Sequence, residues 1–244
     1  MTRRAQSVPP APAKAPATAA PARLAAIDIG SNSIHMVVAE ALPRGGFRVL
    51  DRERDMVRLG KSALGKQRKL SERAMRDGLV ALAKMTPLAR LKGAERALAV
   101  ATSAVREASN GGEFLARVRA QTGLDARVLS GEEEGRLIFR AVRAAVDLGR
   151  GSAVVVDVGG GSTEWISARR GELGKVVSLP LGSLRCAGTL SGDPPSRAAV
   201  AKFRRAVRER LTRVRPAQRV ERLVATSGTA VCVADLIDMA RGAD

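Results

Sequence analysis

The chain has 244 residues, room for one large or two small domains, and 45% of them are hydrophobic, enough for a core built mainly from Ala, Val and Leu. Its formal charge of +18 calls for a polyanionic partner or serves solubility, but with no Tyr and few Phe it lacks stacking platforms for single-stranded nucleic acid, which is not the expected partner. The only histidine, His35, argues against a His-rich zinc site or a Ser-His-Asp triad, and Cys186 and Cys232 form no CxxC and read as reduced thiols of a cytoplasmic protein.

Residues 1 to 22 are rich in Ala and Pro, with a few basic residues and no acid, and read as a disordered, partly extended tail. No apolar run in the tail has signal-peptide length, and nothing in the chain is apolar enough to span a membrane. Ala26-Ile27-Asp28-Ile29-Gly30-Ser31-Asn32-Ser33 then reads as a strand and a tight polar turn, with a return strand from Ile34 to Ala39. His35 falls in that strand pattern, where a packing role is expected. Gly45-Gly46 marks a turn and Phe47 to Asp51 a third strand, followed by a basic loop over Met56 to Lys69. Ser71 opens a helix to about Lys84, which Pro87 breaks or kinks. A strand over Ala94 to Ala101 leads into Thr102-Ser103-Ala104-Val105-Arg106-Glu107-Ala108-Ser109-Asn110. A helix from about Gly112 to Gln121 and a strand over Ala126 to Leu129 follow.

Ser130-Gly131-Glu132-Glu133-Glu134-Gly135 starts the next helix. Ser130 with Glu133 three residues on is a capping box. Successive helix positions differ by about 100°, so the three glutamates cannot all point one way. Acids in a first turn also suit the helix dipole, so a helix start and a catalytic cluster both stay open for these residues. Gly149 to Ser152 is the best internal boundary, dividing a first domain of residues 23–149 from a second of residues 150–244.

Just past that boundary the first motif returns. Val155-Val156-Asp157-Val158-Gly159-Gly160-Gly161-Ser162 aligns without a gap, placing Asp157 on Asp28, Gly159 on Gly30 and Ser162 on Ser33. Turns of Gly and Ser present backbone N–H groups that cradle phosphate oxygens, and an Asp at the end of each preceding strand offers Mg²⁺ a hard oxygen. Two ordinary hairpins are the bland alternative; the aligned pair favours a phosphate clamp. Glu164 shares the face of Ser162 by strand alternation. A paired strand over Glu172 to Leu179 and a loop or short helix from Gly182 come next. Pro194-Pro195 introduces a helix from about Ser196 to Val214. Arg197 to Arg222 holds ten Lys/Arg against two Glu, a solvated face or a polyanion track. A strand over Val220 to Ala225, a polar turn over Thr226-Ser227-Gly228-Thr229 and a helix over Ala230 to Ala240 end the chain.

Taken together, these stretches resemble the exopolyphosphatase and guanosine pentaphosphate phosphohydrolase family. The matching pieces are Ala26 to Ser33, Ala101 to Asn110, Ser130 to Arg136, Val155 to Glu164, Leu179 to Ser183 and Ala225 to Ala230. The resemblance implies an α/β fold of two related ribonuclease-H-like, actin-like ATPase domains around a cleft, the second C-terminally short. It also implies a Mg²⁺-dependent hydrolase that removes a terminal phosphate from inorganic polyphosphate or from guanosine pentaphosphate (pppGpp). By the same match Asp28, Asp157 and Glu164 are the metal acids, Glu134 the general base and Arg106 an arginine that approaches the phosphates. Ser31, Asn32, Ser33, Gly159, Gly160, Gly161 and Ser162 are the phosphate loops, and Thr102, Thr226, Ser227 and Gly228 join the substrate-binding set. Only Val231 to Asp244 remain where the family continues for several dozen residues. Homodimerisation over exposed apolar edges, a truncated product and weak activity all stay open, as does a binding sensor without turnover.

Overall fold

The computed structural model describes residues 22–43, 46–65, 67–190, 192–214 and 219–242. The Ala/Pro tail over residues 1–21, residue 45 of the expected turn, residue 66 of the expected loop and residues 215–218 of the basic run lie outside them.

Alternating apolar residues build the first sheet. Strands β1 (Arg23–Ile29), β2 (Ile34–Ala41) and β3 (Phe47–Asp55) form an antiparallel meander, with every second residue of β1 and β2 buried. Helices α1 (Gly60–Ala63) and α2 (Glu72–Leu91) lead to β4 (Arg96–Ala101), parallel to β1. Helices α3 (Ser103–Glu107) and α4 (Gly111–Thr122) lead to β5 (Ala126–Val128), parallel to β4. The sheet order is β3-β2-β1-β4-β5. Ile27, Ile29, Met36, Met75, Leu82, Met85 and Phe114 pack between the sheet, α2 and α4. Each such large side chain contributes about 1.5–3 kcal/mol on burial.

After α5 (Gly131–Ala145) the plan repeats. Strands β6 (Ser152–Val158), β7 (Thr163–Arg169) and β8 (Glu172–Leu179) form a second antiparallel meander. Helices α6 (Ser183–Ala187) and α7 (Arg197–Leu211) precede β9 (Arg222–Thr226), parallel to β6, and α8 (Ser227–Arg241) follows. The order β8-β7-β6-β9 reproduces the first four strands of the other sheet. Although α5 precedes residue 149 in the chain, Phe139, Val142 and Leu148 pack into the second core with Val155 and Ile166. Neither α7 nor α8 buries a residue, and Val231, Val233, Leu236, Ile237 and Met239 of α8 are exposed.

Three local expectations change. Pro87 neither ends nor divides α2, which continues to Leu91. Pro87 and Ala83, whose carbonyl loses its helical partner, are both exposed, so that carbonyl is open to solvent. Thr226 to Thr229 is no free turn: Thr226 is the N-cap and Ser227, Gly228 and Thr229 are the first turn of α8. The expected loop over Met56 to Lys69 contains α1, seated because Gly60 N–H donates to the carbonyl of Ser31.

Candidate functional site

The repeated motifs fold into matching hairpins. Ile29 pairs with Ile34 and Val158 with Thr163, leaving four-residue loops over 30–33 and 159–162. Each loop closes with the same bond, Gly30 N–H to Ser33 O at 3.2 Å and Gly159 N–H to Ser162 O at 3.0 Å. The backbone N–H groups of Ser31, Asn32, Ser33, Gly160, Gly161 and Ser162 find no acceptor among the described residues. The loops abut: a Cβ on Gly160 would lie 3.2 Å from Ser31 Cβ and 3.4 Å from Asn32 Cβ.

Between the halves lies a cavity of about 550 Å³. Of the sequence-derived candidates, Asp28, Ser31, Asn32, Ser33, Thr102, Glu134, Asp157, Gly159, Gly160, Ser162, Ser227 and Gly228 line it. Arg106, Gly161, Glu164 and Thr226 stand behind this lining. Gly161 is packed against Ser31 and Ser103. Thr226 donates to Asp157 Oδ1 at 2.6 Å, which fixes that carboxylate. The Ser31 hydroxyl is engaged within the protein, 2.8 Å from Ser103 Oγ and accepting from Ala104 N–H at 3.2 Å.

The triple glutamate divides its work. Ser130 and Glu133 form the capping box, and Arg127 also holds Glu133, whose carboxyl is drawn down to about 2, the arginine being the largest cause. Glu132 pairs with Arg136 at 2.7 Å. Glu134 turns to the cavity and pairs with Arg106 at 3.1 Å. Arg106 also donates to the carbonyl of Leu129 at 2.7 Å. The residues matched to the general base and to the phosphate arginine are therefore partners of each other. Burial outweighs that arginine and raises the Glu134 carboxyl above its ordinary value.

The acids crowd one another. Asp28, on the cavity wall, is pushed up to about 7, first by desolvation, then by the charges of Glu134 and Asp157. Burial also raises Asp157. Glu164 is fully buried. Its Oε1 accepts from Ser178 at 2.8 Å, and Oε2 has no hydrogen-bond partner among the described residues. Its carboxyl rises to about 7, through burial and then the charge of Glu134. Among the described residues no three such groups stand close enough to share a metal ion. Two crowded carboxylates at the cavity, Asp28 and Asp157, nevertheless suit Mg²⁺, which takes one or two carboxylates and completes its shell with phosphate oxygens and water.

Among the wall residues that sequence reasoning did not assign to the site are two that can carry charge. His35 lies opposite Asp28 in the β1–β2 register, and Arg54 lies opposite His35 in the β2–β3 register. Both line the cavity, so the expected packing role for His35 gives way to an exposed ring whose Nε2 lies 2.7 Å from Ser33 Oγ. Counting outward from the four-residue turn would have found His35. Arg54 needed the β3 register, which a bulge between Val38 and Ala39 shifts.

Residues 26–243 match the Ppx/GppA phosphatase family. Exopolyphosphatase 1 of Mycobacterium leprae is 36% identical over 183 residues, 75% of this chain and 54% of that protein. The chain thus spans about half the length of the curated relatives it matches. The crystal structure of the Aquifex aeolicus member of the Ppx/GppA family superposes with a TM-score of 0.72 at 31% identity, covering 88% of this chain and 69% of that one. An exopolyphosphatase from Cytophaga hutchinsonii superposes with a TM-score of 0.81 at 27% identity, covering 90% and 71%. The fold is accordingly the α/β arrangement of two related actin-like halves around a cleft. With the duplicated hairpins, the shared cavity and a match over nearly all of its length, this chain belongs to the Ppx/GppA phosphatase family.

Proposed function

We propose that this chain is a phosphoanhydride hydrolase of the exopolyphosphatase type, acting on the terminal phosphate of inorganic polyphosphate. One observation carries the reading: two matching loops with unpartnered N–H groups border one cavity that also holds Asp28, Asp157 and Glu134. The loop N–H groups receive the oxygens of the terminal phosphates. Asp28 and Asp157 would hold Mg²⁺, which when bound would supply positive charge to offset that of the phosphates. Glu134 orients a water and takes its proton at a carboxylate oxygen, a role that its raised affinity for protons suits. Arg106 holds Glu134 in place from behind the lining, and its charge helps to offset that of the phosphates.

Phosphate release from polyphosphate, pppGpp and ATP, measured in parallel, tests the reading. Polyphosphate is expected to be the fastest of the three. Faster release from pppGpp would make this a pentaphosphate phosphohydrolase, and binding without release a sensor. Asp157→Asn should raise the Mg²⁺ concentration needed for half-maximal rate and lower turnover. A curve overlaying the wild type would remove Asp157 from the metal site.

A further inference from the structure

The cavity's charges do not yet account for a polyanionic occupant. Asp28, Glu134 and Asp157 line its floor, all acidic. Arg106 stands behind the lining and is paired with Glu134. Among the described residues, two groups in the lining can carry positive charge, His35 and Arg54. The His35 ring is held below its ordinary protonation range, by burial first and then by the neighbouring Arg54 charge. Arg54 is exposed, and no carboxylate lies within ion-pair distance of it among the described residues. Among the described residues its guanidinium makes one hydrogen bond, to Met56 Sδ at 3.5 Å.

The register gives this arginine a direction. Asp28, His35 and Arg54 are cross-strand partners on β1, β2 and β3, and partners in register share a face of the sheet. Strands lie about 4.8 Å apart, so the three form a row about 10 Å long, from the reaction centre outward across the sheet. A guanidinium binds phosphate oxygens in bidentate fashion and stays charged at every working pH.

We propose that Arg54 is a substrate-binding residue of this cleft, holding the phosphates next to the terminal one and directing the phosphate chain across β2 toward the sheet edge. This rests on the phosphate-chain reading above. It concerns the course of the substrate rather than the chemical step, so its signature is affinity. Tripolyphosphate is the probe, because it carries few phosphates and the basic helix α7 contributes no residue to the cavity lining. Arg54→Ala should raise the calorimetric dissociation constant and the KM for tripolyphosphate about tenfold, with kcat within about twofold. Arg54→Lys should recover part of the loss, since a point charge replaces a fork. Arg52→Ala removes an exposed charge from the same strand outside the cavity lining and should change neither constant. Arg54→Gln is a second neutral variant should the alanine protein melt early.

Tripolyphosphate binding that is unchanged in both neutral Arg54 variants overturns the proposal, as does an equal loss in Arg52→Ala. If the wild type binds tripolyphosphate but releases no phosphate, the hydrolase reading fails, and binding alone still decides the role of Arg54. If the wild type does not bind it, both readings fall.

Discussion

Glu134 and Glu133 are adjacent and chemically identical, yet their surroundings give them opposite work. Glu133 has its cap and Arg127; Glu134 has the cavity, burial and one arginine. Glu134→Gln keeps the shape and removes the proton acceptor, so turnover should drop about 10²-fold or more while polyphosphate affinity holds or tightens. Glu133→Gln should leave turnover near wild type. Steady-state phosphate release with calorimetric binding checks both; an inactive Glu133→Gln would move the base by one residue. Glu164 poses a different question, because it is buried with an unpartnered oxygen. Its folded-state pKa of about 7 lies above the ordinary 4.5, so its contribution to stability is complete below pH 4.5 and fades as pH rises through 7. Asp28 acts in the same direction, and the depressed Glu133 titrates in a separate window between about 2 and 4.5. In chelator-containing buffer Glu164→Gln should therefore melt about 3–5 °C above wild type at pH 8 and little differently at pH 4.5. An equal shift at both pH values would mean that ionisation of Glu164 is not the cause.

At the scale of elements, the site depends on two loops held face to face. Gly161 permits that approach, since a Cβ there would collide with Ser103 Oγ and crowd Ser31 Oγ at 2.8 Å. Arg185 on α6 fixes the same loop from outside. Its Nε donates to Gly161 O at 2.8 Å and its Nη2 to Glu107 on α3 at 2.6 Å, tying the second half to the helix that carries Arg106. Gly161→Ala should force the loops apart and cut turnover at least about tenfold, as misplacement by an ångström can. Arg185→Ala should raise KM and lower kcat together, because it releases both a phosphate loop and the helix of Arg106. Kinetics on the two variants beside far-ultraviolet circular dichroism separate loop placement from unfolding; unaltered kinetics in both would mean the loops hold position without these contacts.

Across the whole molecule, positive charge is spread far beyond the cleft. Arg204, Arg205 and Arg208 are exposed on α7 and make no ion pair among the described residues. Reversing all three to Glu should weaken binding of long polyphosphate much more than binding of tripolyphosphate, and wild-type affinity for long chains should fall with salt. Equal long-chain affinity in mutant and wild type would leave α7 a solvated face. Among the described residues no helix is long and apolar enough to cross a membrane.

The duplicated hairpins, most strand positions, the capping box and the family were legible in the sequence because each is local. Alternation marks a strand, Gly and Ser mark a tight turn, and Ser130 with Glu133 marks a helix start. Asp28 and Asp157 were found because an ungapped repeat needs no third dimension. Register and packing decided the rest. Pro87 stays helical because its face is exposed, a fact that the packing of α2 sets. Glu164 lies buried behind the cavity lining because α5 and the neighbouring strand β8 cover its face of β7, and no spacing reveals which face a second element will cover. Arg54 reaches the cavity through the pairing of β2 with β3 across a bulge, and a slip of one residue would have turned it to the opposite face. The pairing of Arg106 with Glu134 joins helices 28 residues apart in the chain. Local residue patterns fix the turns, caps and strands, while contacts between distant elements are chosen by packing, and these set the direction and charge of each group around the cleft.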